Sequence, residues 1–597
     1  MLGDSRATLP QALVVGAVLQ VTVAVVRSDS NLADSCQVGT LFGSATTETM
    51  TTAATTCRRM GFHMTHPATE GQTLLLTGGR LADGTGSPLR EADVLVENGR
   101  FLAVEPAGSV APHGYAVRDL TGLVLAPGFI DVHSHADNAP LLAADDTTKI
   151  LQGVTTEVVG NCGFSLAPKL PQHAATLAAF TARIFPPLDF TWSSFRELLE
   201  ATDASGYVTN YCPLVGHGTL RIAVMGMSGG APDDDQIVRM RRELELGMEA
   251  GAFGLSSGLI YPPAMFSESA ELIRLAEALG GDGLYATHMR GEGDTLLASI
   301  DEALRIGAVA GRTHISHLKS SGRQNWGKMP AALAAIRTAR GSGLGVLQDV
   351  YPYTASSTML AATLPPSFLI GSEDEVLGRL TDPRGLAELA RTIETGLPGW
   401  ENHVGGSGWD GILVSTTASH QDEGRTLAEI AADKGVEPVT VLVEVLVRER
   451  LQASMVLFSM REDDLELALA DDHTMIGSDG LPPGTGGKPH PRLYGTFPRV
   501  LGRYSRERAV LALPEAIRRM TSLAAEGFRI PDRGLVAPGL VADLVAFDSA
   551  TVTDIGDYRD PVHPPVGIAW VAQAGRTVVE DGRYVGGRSG VRLTATG

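Results

Sequence analysis

The stretch GFIDVHSHAD, residues 128–137, closes an apolar run with two histidines separated by one residue. Leu123, Val124 and Leu125, followed by Phe129, Ile130 and Val132, have the apolar and β-branched character of a buried strand. A period of two then puts His133 and His135 on one face, where two imidazoles converge on a point. Taken alone, such a pair is more often a set of core or surface histidines held by hydrogen bonds. Ligand-type residues at the ends of later strands would make it a metal site.

Outward from this strand the pattern alternates. Apolar runs ending in polar residues recur at 124–135, 154–162, 207–217, 252–261, 284–290, 312–317, 344–353 and 473–480. Between most of them lie stretches with apolar residues three and four apart, such as Gln236 to Ala250, Ser267 to Leu279, Thr295 to Ile306 and Met329 to Ala339. Eight strands alternating with helices predict an α/β fold, a (β/α)8 TIM-like barrel with catalytic residues at the C-terminal strand ends. The connection from strand 7 to strand 8 breaks the rhythm. Residues 354–472 are far longer than a loop and contain helical patterns and a strand at Ile412 to Thr416, which predicts an inserted lid subdomain.

Before the barrel, residues 73–106 read as a small antiparallel sheet of short alternating runs, with Asn98-Gly99 as a hairpin signal. Similar text returns at 534–548 and 575–585, so a small β-sandwich built from both ends of the chain is expected to flank the barrel. The expected division is 1–65, a doubtful extension; 66–122, the first part of the sandwich; 123–353, barrel strands 1–7; 354–472, the insertion; 473–530, the end of the barrel; and 531–597, the second part of the sandwich.

With 597 residues the chain exceeds a single core and needs at least two packed units. Its formal net charge of -20 and lack of a basic block argue against nucleic acid and anionic membranes as partners, leaving a small molecule. Four cysteines, at 36, 57, 162 and 212, give no disulfide framework, and a reducing cytoplasm is expected. The apolar stretch 9–26 approaches the length of a membrane span, but Pro10, Gln11, Gln20 and Thr22 interrupt it and no positive start precedes it. It reads as translation from a spurious upstream start, with Met60 and Met64 as candidate starts, ahead of a targeting segment or a structured extension.

Taken in turn, the strand ends give His133 and His135, Cys162 in VVGNCGF, His288 in YATHMRGEG, His317 in THISHLKSSG and Asp479 in MIGSDGLP. Imidazoles and a thiolate are good Zn²⁺ ligands, and a carboxylate either ligates or takes a proton from water activated by the metal. A lone strand cysteine is ordinarily inert, but this one shares a barrel end with four histidines. His314, three residues before His317, faces the other side and is expected to be structural. Asp479 is expected to be the general base and then the general acid; its alternative is a carboxylate that orients a histidine.

The motifs APGFIDVHSHAD, GVTTEVVGNCGFSLAP, LVGHGTLR, FGLSSGLIYPP, THMRGEGD, ISHLKSSG, VYPY, GSDG and HPRLYGTFPRVLGRY together resemble the amidohydrolase superfamily. Within it the chain is similar to the D-aminoacylase (N-acyl-D-amino-acid deacylase) family, over roughly residues 72–585. The resemblance implies zinc-dependent hydrolysis of N-acyl-D-amino acids to a carboxylate and a free D-amino acid. It implies a tight zinc on Cys162, His288 and His317, and a second, weaker position on His133 and His135 with Cys162 bridging. It places Tyr261, Lys319, Tyr351 and Arg492 around the substrate, where Lys or Arg pairs with the α-carboxylate and a tyrosine adds a hydrogen bond. Each has a plainer alternative, as scaffold ion pairs or packed wall. Arg290 and Glu292 either brace their loop or touch ligand, and His217 lines the pocket. Many amidohydrolases bridge two metals through a carboxylated lysine on strand four; GLSSGLIY has none, which disfavours a dihydropyrimidinase-like activity on cyclic amides. A non-catalytic scaffold on the same fold would have lost metal ligands, whereas all six positions are filled. No extra basic residue stands in the motif-bearing loops, which favours neutral side chains such as D-Met, D-Leu or D-Phe.

Overall fold

The computed structural model describes residues 73–595, apart from Pro482, Pro483 and Thr485. The extension 1–65, its apolar stretch, Cys36 and Cys57 lie outside the described residues. No helix among the described residues is long and apolar enough to cross a membrane.

The fold is mixed α/β, organised by a run of parallel strands: β1 (Phe129–Asp131), β2 (Val154–Val159), β3 (Asn210–Pro213, continued by Val215–Gly216), β4 (Leu255–Gly258), β5 (Gly283–His288), β6 (Gly311–Ile315), β7 (Gly345–Val350) and β8 (Thr474–Ile476). Each pairs in parallel with the next. The sheet curls until its ends meet. Beyond β1 and β8, Ser134 and Gly480 form a parallel bridge, the Asp479 N–H donates to the His133 carbonyl at 2.7 Å, and the His135 N–H donates to the Gly480 carbonyl at 3.1 Å.

The strands are apolar because they are buried on both faces. Ile130, Val132, Val158, Cys212, Leu214, Ala286 and Met475 share one cluster. Helices such as Leu296–Ala310 and Met329–Gly341 supply Leu296, Ile300, Met329, Leu333 and Ile336 to another. The helix Asp234–Ala250 opens with a capping box, Asp233 with Gln236, and ends at Gly251 in the left-handed conformation.

Strands from both ends of the described residues join in one ten-stranded sheet. Strand Val124–Pro127, which leads into β1, pairs antiparallel with Leu544–Phe547. The Asn98-Gly99 turn joins Arg90–Glu97 to Arg100–Pro106, with φ of 51° and 78°, as an Asn-Gly hairpin turn requires. The antiparallel sheet expected over 73–106 forms, and strands beyond it add to it in parallel: Leu74–Thr77 runs parallel to Ala116–Asp119, and Arg80–Leu81 parallel to Val124 and Leu125. These strands are not joined by hairpins, so nothing forces them to alternate in direction.

Residues 354–472 carry their own antiparallel sheet, in which Ser454–Leu457 lies between Ser356–Met359 and Ile412–Thr416. They also have their own core, including Leu360, Phe368, Leu389, Ile430, Leu442 and Met455.

Helix Leu296–Ala310 lies so close to β6 that a Cβ at Gly307 would fall on the Thr313 hydroxyl. Gly307→Ala is expected to cost about 1–3 kcal/mol, read as a lower Tm. Gly341→Ala, in open space at the end of Met329–Gly341, is the control and should leave Tm level or slightly raised.

Candidate active site

The predicted ligands come together where the strands end, and three of them sit on unusual backbone. Cys162, His317 and Asp479 have φ of 54°, 38° and 48°, the left-handed region that non-glycine residues seldom enter. Each follows its strand at the turn outward. Around Cys162 the turn is tight enough that a Cβ at Gly258 would fall on the Cys162 carbonyl, and one at Gly216 would lie 2.5 Å from that of Gly163. Glycine is required at both positions by close approach of backbone to backbone.

Three imidazoles face the buried Cys162 sulfur: His133 Nε2 at 3.3 Å, His317 Nε2 at 3.6 Å and His288 Nδ1 at 3.9 Å. Ligand atoms of His133, Cys162, His317 and Asp479 all lie within 4.8 Å of one another. Zn–S and Zn–N bonds of about 2.3 and 2.05 Å at a tetrahedral angle separate the two ligand atoms by about 3.6 Å. The three sulfur–nitrogen distances bracket that value. The donor set therefore fits a divalent metal. Burial alone would raise the Cys162 thiol, but the His133 charge and hydrogen bonds from His133, His135 and His288 hold it well below its ordinary value.

Asp479 Oδ1 lies 3.2 Å from His135 Nε2 and 3.5 Å from His133 Nε2, and Oδ2 lies 2.9 Å from Arg492 Nη2. Burial opposes its ionisation, yet Arg492, His133 and His317 outweigh burial and hold the carboxyl well below the carboxylate range. Two further buried carboxylates stand behind the imidazoles: Glu292, expected either to brace its loop or to touch ligand, and Asp349, missed in the sequence. Glu292 Oε1 is 2.9 Å from His317 Nδ1 and 2.5 Å from Lys319 Nζ, and Oε2 is 3.6 Å from His288 Nε2. Asp349 Oδ2 is 3.5 Å from His133 Nδ1 and 2.8 Å from His314 Nε2. Two signals were available: Glu292 follows His288 by four residues, and Asp349 interrupts the apolar run of β7.

The four residues expected around a substrate are all close by. The Tyr351 ring lies 4.6 Å from the Arg492 guanidinium carbon and 5.6 Å from Lys319 Nζ. The Tyr261 ring is 5.2 Å from that of His288, and its hydroxyl is 2.8 Å from Thr358 Oγ1. Arg492 is fully buried, donates from Nη2 to the Ser357 carbonyl, and leaves Nε and Nη1 shielded without a partner among the described residues. A cavity of about 180 Å³ is walled by Leu259, Ile260, Met265, Leu364 and Leu369, with Arg290, Trp400, Glu401 and His403 also lining it. The Leu259 N–H donates to the His288 carbonyl.

Other residues are placed elsewhere. Arg290 braces its loop by donating to Glu302. His217 does not line the pocket. It bonds to Glu271 at 2.8 Å, and Arg221 pairs with the same carboxylate, deep under the helix His217–Met225. His314, as expected, stays with Asp349 and the Phe528 ring.

The sequence profile of the Amidohydrolase family matches residues 116–346 and 384–584. D-aminoacylase of Alcaligenes xylosoxydans xylosoxydans is 38% identical over 532 residues, covering 88% of this chain and 98% of that protein. N-acyl-D-aspartate deacylase of the same organism is 35% identical over 88% of this chain and 95% of its own length. The crystal structure of N-acyl-D-glutamate deacylase from Bordetella bronchiseptica, complexed with zinc and a phosphonate mimic of the tetrahedral intermediate, superimposes with a TM-score of 0.71 at 35% identity. It covers 88% of this chain and all of the other.

The buried Glu271–Arg221 pair generates a stability prediction. Burial would raise the Glu271 carboxyl, but His217 and Arg221 hold it below its ordinary value. A carboxyl depressed in the folded state contributes stability above its unfolded pKa of about 4.3 and loses it as pH falls through the folded value. Glu271→Gln should cost about 3–5 kcal/mol at pH 7 by leaving Arg221 buried and unpaired. The gap to wild type in urea melts should shrink below pH 4, with metal content per folded molecule unchanged.

Proposed function

Because this chain belongs to the amidohydrolase family, we propose that it hydrolyses the amide bond of N-acyl-D-amino acids to a carboxylate and a free D-amino acid. The observation that carries the reading is the buried thiol ringed by three imidazoles, with an ionised carboxylate beside them. Relatives of near full-length coverage are named for this reaction. We read the curled parallel sheet as a (β/α)8 barrel, residues 66–122 and 531–597 as a flanking β-sandwich, and 354–472 as a lid inserted between β7 and β8.

The metal in this reading is zinc, held tightly by Cys162, His288 and His317, with a weaker second position on His133 and His135 that shares Cys162. When bound, it supplies a Lewis acid that polarises the amide carbonyl and makes water acidic enough to be deprotonated near neutral pH. Asp479 accepts that proton and delivers it to the leaving nitrogen, as general base and then general acid. Arg492 keeps Asp479 ionised in the free enzyme, and its two unpartnered donors suit a substrate α-carboxylate. A carboxylate that draws charge from Arg492 would loosen its hold on Asp479 and make Asp479 a stronger base. Tyr351 supports the guanidinium through its ring face. Lys319, tied to Glu292, contributes positive charge, and Tyr261 walls the acyl side.

The carbonyl and the α-carboxylate pin two points around the α-carbon, so the side chain has room in one direction only. A neutral side chain suits the site, since Arg290 and Lys319 are already paired with Glu302 and Glu292.

N-acetyl-D-methionine should be hydrolysed at least ~100-fold more efficiently than its L-enantiomer, about 2.7 kcal/mol of misplacement. Comparable kcat/KM for both hands would defeat the two-point anchor. Cys162→Ala should lose metal and activity together, measured by elemental analysis of the purified protein; a fully metallated, active variant would remove Cys162 from the ligand set. Asp479→Asn should retain metal while kcat drops by about two orders of magnitude or more. A change confined to KM would make Asp479 a binding residue.

A further inference from the structure

The motif HPRLYGTFPRVLGRY brings Arg492 to the site, and the reaction leaves its first residue without a role. His490 is 1% exposed and lies among tyrosines. The Tyr353 and Tyr558 rings stand nearly perpendicular to it with centroids at 5.0 and 5.1 Å, and the Tyr351 ring is 6.3 Å away. Both ring nitrogens are used, and their partners leave no choice of tautomer. Nδ1 lies 3.0 Å from the Arg492 backbone nitrogen, which can only donate, and Nε2 lies 3.0 Å from the Ala355 carbonyl, which can only accept. The imidazole is therefore neutral, with its proton on Nε2. Shielded by the tyrosines, each bond is stronger than it would be in water.

These two bonds fix where Arg492 starts from. The helix Arg492–Arg499 follows Pro491, which gives it no side-chain cap, so the first amide of this buried helix end would be an orphan without His490. Arg492 in turn donates from Nη2 to the Ser357 carbonyl at 3.0 Å and pairs through the same nitrogen with Asp479 Oδ2 at 2.9 Å. Residues 490 and 492 thus grip the carbonyls of Ala355 and Ser357, alternate positions at the root of the 354–472 segment. Extended chain advances ~3.3 Å per residue. A slip of one position would therefore carry the guanidinium out of hydrogen-bonding range of Asp479.

We propose that His490 is a positioning residue of the reaction, tying the chain at Arg492 to the root of the 354–472 segment so that the guanidinium meets Asp479 in one place. This rests on the reading of the chain as an N-acyl-D-amino-acid hydrolase with Asp479 as its base. His490 works through Arg492, so its removal should cost almost nothing once the guanidinium is gone. A residue that only supports the fold would cost the same with or without Arg492.

The test is a double-mutant cycle on kcat/KM for N-acetyl-D-methionine, with the full-length enzyme and its copurifying metal. His490→Ala should lower kcat/KM about tenfold or more, with metal content per folded molecule unchanged. In an Arg492→Ala background the same substitution should change kcat/KM by less than ~twofold, as for residues that act as a unit. His490→Asn, whose Oδ1 can still accept the Arg492 N–H, and His490→Gln, whose Nε2 can still donate to Ala355, should each fall between wild type and alanine; where alanine fails to fold, the cycle is read with Asn. Equal factors in the two backgrounds, a His490→Ala as fast as wild type, or Asn and Gln both no better than alanine overturn the proposal while leaving the hydrolase reading intact. A wild type inert to every N-acetyl-D-amino acid offered overturns the hydrolase reading, and the proposal with it.

Discussion

The site depends on the seam where the parallel sheet closes. Asp479 N–H to the His133 carbonyl and His135 N–H to the Gly480 carbonyl join the first strand to the last. His133, His135 and Asp479 all stand on that seam, so their mutual distances are set by backbone rather than by side-chain choice. A buried cation reinforces it: Lys149 Nζ reaches Asp131 Oδ2 at 3.0 Å, Ser134 Oγ at 3.0 Å and Glu157 Oε2 at 3.2 Å. Asp131 Oδ1 in turn accepts the N–H groups of His133 and Ser478, one on each side of the seam. Charge pairing at this depth stabilises weakly in net terms, but it fixes register, because a slipped strand would leave an unpaired ion in the core.

Left-handed backbone at Cys162, His317 and Asp479 costs on the order of 1–3 kcal/mol at each position. Aspartate tolerates that region better than cysteine or histidine. The surrounding structure must over-determine these turns, and it does so through glycine contacts around Cys162 and buried carboxylates behind the imidazoles. Glu292 touches His288, His317 and Lys319 together, and Asp349 joins His133 to His314. Imidazoles backed by carboxylates are held in orientation and made more basic toward a metal.

The strand–helix alternation and the six residues at the strand ends were legible because burial on both faces writes itself into sequence as apolar runs, and several of those runs stop at a residue type that binds metals. Ile412–Thr416 was found for the same reason. Two other strands of that sheet, Ser356–Met359 and Arg425–Thr426, were not, since SSTM and RT carry no period-two apolar pattern and become strands only by pairing with a buried partner. Glu292, Asp349 and the fate of His217 depend on which side chain meets which across the barrel. A lone sequence records the residue types but not those meetings. The parallel pairings in the terminal sheet escaped notice for a similar reason, because direction is fixed by connections rather than by composition.

That terminal sheet bears on how the protein is made. Pro127, at the threshold of β1, pairs with Leu544, so the strand that leads into the barrel has no partner on one side until nearly the whole chain has left the ribosome. Pairings this distant in sequence form late and slowly. Until they do, the backbone groups of Val124–Pro127 present an open edge to other nascent chains. An edge left open for that long is where a nascent chain is exposed to aggregation, and the late pairing with Leu544–Phe547 is what closes it.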